Sequence, residues 1–229
     1  MSVKITWLGH SCFALEADGR RLLIDPYLND NPAAAIKADK AKADFILLTH
    51  GHFDHVADAP AIAKRTGATV LANYEVGEWL KREGIAADKV VQMNPGGSVQ
   101  QPFGRAKFTI AHHSSSTPDG AYGGVPGGFL LELAGKRLYF AGDTALFLDM
   151  KLIGLGGLDL AVLPIGDRFT MGPEDAVEAV KFLSPKKATP CHYNTWPPIA
   201  QDGTAWAEEV RRQTAAEPIV VEPGGSFVV

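Results

Sequence analysis

Residues 3–25 read VKITWLGHSCFALEADGRRLLID. Polar and apolar residues alternate from Val3 to Leu8, and two further strand-like runs, Cys12 to Glu16 and Arg21 to Asp25, are joined by Asp18-Gly19. Both residues of that pair tolerate positive φ, so it predicts a tight hairpin. Consecutive antiparallel strands have no place in an all-parallel doubly wound sheet, whose strands need long crossovers between them.

The rhythm changes at Phe45. A short apolar strand, Phe45 to Leu48, precedes a helical stretch around Asp58 to Arg65, a strand Thr69 to Ala72 and a helix Glu75 to Arg82. A second meander follows, with strands Ala106 to Ala111, Phe129 to Leu133 and Arg137 to Ala141, the last two joined by Ala134-Gly135-Lys136. Then comes a strand Asp159 to Leu163, a helix Glu174 to Leu183 opened by Gly172-Pro173, a strand Ala188 to Cys191 and a helix Thr204 to Gln213. A meander followed by βα units, twice over, predicts two sheets packed face to face with helices outside each: an α/β fold arranged as a four-layer αββα sandwich. No 20 to 50 residue sequence repeat or linker stands out, so residues 1–229 are expected to form one domain of two similar halves, roughly 1–100 and 101–229.

With 46% apolar and 21% charged residues the composition is that of an ordinary soluble protein, and no stretch approaches the roughly 20 apolar residues of a membrane span. The 22 basic and 26 acidic side chains leave a net charge of −4 with no Lys/Arg run, which disfavours a nucleic-acid partner. Cys12 and Cys191 cannot make a disulfide framework. The segment Met1 to Gly9 lacks the apolar core of a signal peptide. Both features lead us to expect a cytoplasmic protein.

All seven histidines fall at expected strand ends or in the loops just after them. His50, His52 and His55 lie within six residues, in Thr49-His50-Gly51-His52-Phe53-Asp54-His55, directly after the apolar run Ile46-Leu47-Leu48. A tight loop leaving a strand can aim His50 and His52 at one point and Asp54 and His55 at a second. Imidazole and carboxylate are the ligands that Zn²⁺ and similar divalent metals prefer. One ion rarely takes four donors from one loop, so two adjacent ions are implied. Gly51 removes a side chain where the backbone must turn closely. A polar surface loop is the plainer alternative, but the position after a buried strand favours metal.

This loop resembles the H-x-H-x-D-H signature of the metallo-β-lactamase superfamily. The resemblance extends to Trp7-Leu8-Gly9-His10-Ser11-Cys12-Phe13, Leu23-Ile24-Asp25-Pro26, Ala141-Gly142-Asp143-Thr144, Leu163-Pro164-Ile165-Gly166-Asp167, Phe169 to Ala176 and His192-Tyr193-Asn194-Thr195. Those segments are similar to a subgroup of small metal-dependent hydrolases related to ascorbate 6-phosphate lactonase. The αββα fold the resemblance implies agrees with the element order.

Carried over residue by residue, the resemblance gives a first ion His50, His52 and a histidine from Ala111-His112-His113-Ser114-Ser115, and a second ion Asp54, His55 and His192. Asp143 matches the bridging carboxylate, although an Asp leaving a strand can also be a helix N-cap. Successive side chains of an extended segment alternate, so only one of His112 and His113 points inward. The subgroup places its histidine just before Ser-Ser, which selects His113 and leaves His112 a packing or supporting role. Asp25 resembles the aspartate that buttresses the histidine loop, a partner metal-bound imidazoles usually need; Thr49 and Thr144 are candidates for the same duty. His10 is either a first-strand residue satisfied by backbone or a polar group at the cleft rim.

The resemblance implies hydrolysis by a metal-bridging hydroxide, with Asp54 and Asp143 as the catalytic carboxylates and two divalent ions, zinc or else Mn, Fe or Ni. A small ester, lactone or related molecule is the expected substrate. A phosphodiesterase or ribonuclease of the same superfamily is the competing reading, and it would require an RNA-grasping module or basic face that this chain has no room for. A redox di-iron reading would have Glu in place of His52. A non-enzymatic scaffold would have lost ligands, yet every signature position is filled. A homo-oligomer is compatible with the sequence.

Overall fold

The computed structural model describes residues 2–229, so Met1 lies outside the description. The first half comprises strands β1 (Lys4–Gly9), β2 (Cys12–Ala17), β3 (Arg20–Ile24) and β4 (Phe45–Leu47), helices α1 (Phe53–Val56) and α2 (Ala59–Thr66), strand β5 (Thr69–Asn73), helix α3 (Tyr74–Arg82) and strand β6 (Val90–Met93). The second half comprises β7 (Ser98–Gln101), β8 (Gly104–Ile110), β9 (Gly127–Leu133), β10 (Lys136–Phe140), helix α4 (Met150–Gly154), β11 (Leu158–Pro164), α5 (Pro173–Leu183), β12 (Pro185–Cys191), α6 (Gly203–Gln213) and β13 (Glu217–Pro218). A last strand, β14 (Ser226–Val228), returns to the first sheet. The two seven-stranded sheets run β14-β1-β2-β3-β4-β5-β6 and β13-β12-β11-β10-β9-β8-β7.

Each sheet is antiparallel through its meander and parallel through its βα units, with the change at β3–β4 in one and β10–β11 in the other. The Asp18-Gly19 hairpin is present, with Ala17 opposite Arg20 and positive φ at both turn residues. Alternation then sorts the faces: Leu22, Ile24, Phe45 and Leu47 enter the core between the sheets, whereas Leu23, Ile46 and Leu48 pack on the outer face with Ile62, Val76 and Trp79 of α2 and α3. The inner core is bridged by ring contacts such as Phe13 to Phe140, with centroids 5.7 Å apart. Behind the second sheet, α5 and α6 contribute Val177, Val180, Trp206 and Val210. This is the αββα sandwich expected from the sequence.

Several elements differ from that expectation. Asp54 and His55 stand on the short helix α1 and not in an irregular loop; the backbone N–H of His55 donates to the His52 carbonyl at 2.9 Å. Strands β6, β7, β13 and β14 and helix α4 gave no sequence signal. β7 is the polar run Ser-Val-Gln-Gln at a sheet edge, and β14 pairs with β1 from the far end of the chain. Their pairing is supplied by neighbours and not by periodicity. No helix among the described residues is long and apolar enough to cross a membrane. Cys12 and Cys191 are buried and free.

Candidate metal centre

Every candidate ligand, and the supporting Asp25, lies in the segment that follows the C-terminal end of a strand. Asp25 follows β3, the His50–His55 segment follows β4, His113 follows β8, Asp143 follows β10 and His192 follows β12. Facing the two sheets brings these ends together. The approach is close: a Cβ on Gly51 would lie 2.9 Å from the Ser116 carbonyl oxygen, and one on Gly142 would lie 2.7 Å from that of Gly127. At both positions only glycine fits without displacing backbone.

His50, His52 and His113 form one group whose ligating atoms lie within 4.8 Å of one another. Nδ1 of His52 is 3.0 Å from Nε2 of His50 and 3.3 Å from Nε2 of His113. The protons can be assigned from their surroundings. The Thr49 hydroxyl donates to Asp25 Oδ2 at 2.7 Å, so its oxygen accepts from Nδ1 of His50 at 3.1 Å. That leaves a lone pair on His50 Nε2, aimed at the other two ring nitrogens. Two nitrogens bound to one tetrahedral ion at ~2.0–2.1 Å stand about 3.3 Å apart, so the spacing suits a shared cation.

A second group contains His10, Asp54, His55 and His192. Nδ1 of His55 donates to Asp25 Oδ2 at 2.8 Å, as a buttressed ligand does, leaving Nε2 buried with no hydrogen-bond partner. Asp143 lies between the groups. Its Oδ2 is 2.9 Å from His192 Nε2 and 3.7 Å from His113 Nε2, and its Oδ1, 3.3 Å from His55 Nε2, also has no hydrogen bond. The unpartnered His55 Nε2 and Asp143 Oδ1, buried beside Nε2 of His192 and close to Nε2 of His113, are atoms that a divalent cation would satisfy in place of a proton.

The charges are strongly coupled. Burial opposes ionisation of Asp143, but His192 and His55 outweigh it and hold the carboxyl well below its ordinary range. Burial likewise opposes charge on His192, yet Asp143 lifts it to about 9. Burial and the neighbouring His192 push His10 down to about 4. Asp54 is kept ionised against burial by hydrogen bonds from His10 and His192.

The supporting residues also find their places. Asp25 receives the Thr49 backbone N–H on Oδ1 and holds His55 and the Thr49 hydroxyl on Oδ2. The backbone N–H of His112 donates to Thr144 Oγ1, and its ring stacks on Phe147, away from the ligand group. Between the two adjacent histidines, His113 is the one brought to the centre. Asp143 begins no helix, since α4 starts only at Met150, so the capping alternative falls. Sequence reasoning gave no role to Thr195, whose hydroxyl lies 2.8 Å from Nδ1 of His10. Nothing in its spacing marks it; the link between the N-terminal and C-terminal segments exists only in the fold.

This fold and site define a metal-binding hydrolase class, and comparison with known proteins agrees. The family described as a beta-lactamase superfamily domain matches residues 20–193. A UPF0173 metal-dependent hydrolase of Thermus thermophilus is 50% identical over 222 residues, covering 97% of each chain. Among solved structures, Igni18, a metallo hydrolase from Ignicoccus hospitalis, superposes with a TM-score of 0.90 at 36% identity over 100% of this chain and 99% of its own. YhfI of Bacillus subtilis, a metallo-beta-lactamase fold protein 14% identical, shares the fold with a TM-score of 0.77 over the whole of both chains. The chain belongs to the metal-dependent hydrolases of the beta-lactamase superfamily.

Proposed function

We propose that this protein hydrolyses a small ester, lactone or related molecule at a two-ion centre, zinc being the ion the nitrogen-rich donors suit best and Mn, Fe or Ni the alternatives. The observation that carries the reading is the placement of Asp143 between two donor groups, His50, His52 and His113 on one side and Asp54, His55 and His192 on the other. When bound, such ions supply a hydroxide nucleophile at neutral pH and stabilise charge developing on the electrophilic oxygen. Asp143 turns Oδ1 to His55 and Oδ2 to His192 and His113, so its carboxylate is within reach of both groups. Asp54 stays ionised, so it would accept a hydrogen bond and orient a water at the centre, and does not serve as a general acid. Asp25 and Thr49 fix the ring orientation of His55 and His50. The two buried free cysteines suit a reducing cytoplasm, and the acidic balance suits a small-molecule substrate over nucleic acid.

The test is hydrolysis of a panel by protein reconstituted with Zn²⁺ or Mn²⁺: a lactone, an aryl ester, a thioester, a bis-aryl phosphodiester and short RNA, with Asp143→Ala as background. Turnover of a carbonyl substrate at least about 100-fold above the variant supports the proposal. Selective cleavage of the diester or RNA replaces it with the nuclease reading.

A further inference from the structure

Phe53 stands between two candidate ligands, His52 and Asp54, at the first position of α1, and its side chain is exposed. Its neighbours on both sides turn inward, so the ring is left facing outward at the rim of the centre. It is not isolated. Tyr27, in the loop after β3, meets Phe53 edge to face with centroids 5.7 Å apart, and Trp196, in the loop after β12, lies 6.1 Å from Phe53 and 6.0 Å from Tyr27. The same two rings cover His10, at 5.8 Å for Tyr27 and 5.0 Å for Trp196, while Nε2 of His10 is 3.1 Å from Asp54. The aromatic cluster is therefore continuous with the Asp54 side of the metal centre.

Three loops from three strands converge to build this surface, yet Phe53 gains little burial from it. An exposed aromatic ring between two candidate ligands contributes little to folding and leaves apolar surface open beside them. The polar atom of Tyr27 is turned away, its hydroxyl donating to the Asp30 carbonyl. What remains for a ligand is the exposed ring of Phe53 and the half-buried ring of Trp196, both packed against Tyr27. An uncharged apolar group packs well against such a surface.

Building on the hydrolase reading above, we infer that Phe53 and Trp196, packed against the buried Tyr27, form a subsite for an uncharged aryl or bulky alkyl portion of the substrate, next to the bond that is cleaved. The substrate class narrows to acyl compounds that carry such an apolar portion.

Hydroxamates test this without relying on turnover, because they chelate the metal through one end and present the other to the subsite. Binding of phenylacetohydroxamate and acetohydroxamate to the zinc-loaded full-length protein is measured by calorimetry, alongside hydrolysis of methyl phenylacetate and methyl acetate, which share a leaving group. The aryl hydroxamate is expected to bind at least about tenfold more tightly than the acetyl one. Phe53→Ala should shrink that ratio by about fivefold, whereas Leu152→Ala, an exposed apolar side chain on α4, should keep it. Equal affinity for the two hydroxamates, or a ratio unmoved by Phe53→Ala, overturns the subsite even if the esters are hydrolysed. An aryl preference in binding with no hydrolysis of any ester, lactone or thioester upholds the subsite and overturns the proposed ester and lactone activity.

Discussion

His10 occupies the left-handed region at φ 55°, an uncommon conformation for any residue but glycine. It is fully buried, and its contacts account for the strain. Its carbonyl accepts from the His192 backbone N–H at 3.1 Å and from Trp7 Nε1 at 2.8 Å. A carboxylate can only accept, so Nε2 of His10 carries the proton it shares with Asp54 Oδ2, and Nδ1 accepts from Thr195. This tautomer makes His10 an orienting partner of Asp54 and not a ligand. His10→Ala should weaken the more weakly held of two ions by about 10 to 100-fold, and His10→Gln, which can still donate to Asp54, should recover part of the loss. Metal titration followed by Co²⁺ absorption reads both variants; two ions held as tightly by His10→Ala as by the parent would rule the orienting role out. A companion experiment concerns the adjacent pair. His113→Ala should lose an ion and hydrolysis together, whereas His112→Ala should keep both, because its ring rests on Phe147. Metal analysis of the purified variants decides between them.

At the scale of elements, Asp58 shows how a loop is tied to a helix. It precedes α2 in the N-cap position but makes no capping bond. Its carboxylate accepts instead from the backbone N–H groups of Leu28 and Asn29 at 2.6 and 3.0 Å and from Asn29 Nδ2 at 2.7 Å. Asp58→Ala would leave the buried Leu28 N–H short of a charged acceptor, while the exposed Asn29 can turn to water, at a cost of about 1–3 kcal/mol, visible as a lower Tm. A loss under about 0.5 kcal/mol would mean the loop needs no such tie. The same example shows what is legible in a sequence. Hairpins with Asp-Gly turns, apolar runs and the Gly172-Pro173 helix start were readable because each depends on residues adjacent in the chain. The His50 to His55 spacing was readable for the same reason. The Asp58 tie, the Thr195 contact and strand β14 were not, because each joins residues far apart in sequence by ordinary side chains or backbone.

At the scale of the whole molecule, the two sheets press seven titratable ligand candidates into one buried region, so proton and metal binding compete throughout. In the metal-free chain, His192 has its proton affinity raised to about 9 against an ordinary value of 6.5, despite burial, by Asp143. His55 is raised in the same sense by Asp143 and Asp25, again against burial. Stabilisation from such groups is fully present below 6.5 and is lost as pH climbs through the raised value. His10, lowered to about 4 by burial and then by His192, acts oppositely and weakens the fold as pH falls from 6.5 towards 4. Stability of the metal-free chain should therefore be greatest near pH 6.5 and decline on the way to pH 9, each tenfold change in proton affinity being worth about 1.4 kcal/mol before the coupling between neighbours reduces it. Ligand nitrogens must shed their protons to bind metal, so affinity rises over the same window. Stabilisation by a ligand grows with the ratio of its concentration to Kd. The gap in Tm between zinc-loaded and metal-free protein is accordingly expected to widen from pH 6.5 to 9, at fixed free zinc, by scanning calorimetry. A gap that stays constant or narrows over that range would mean that His55 and His192 do not exchange protons for metal, and the Asp54, His55 and His192 set would have to be abandoned.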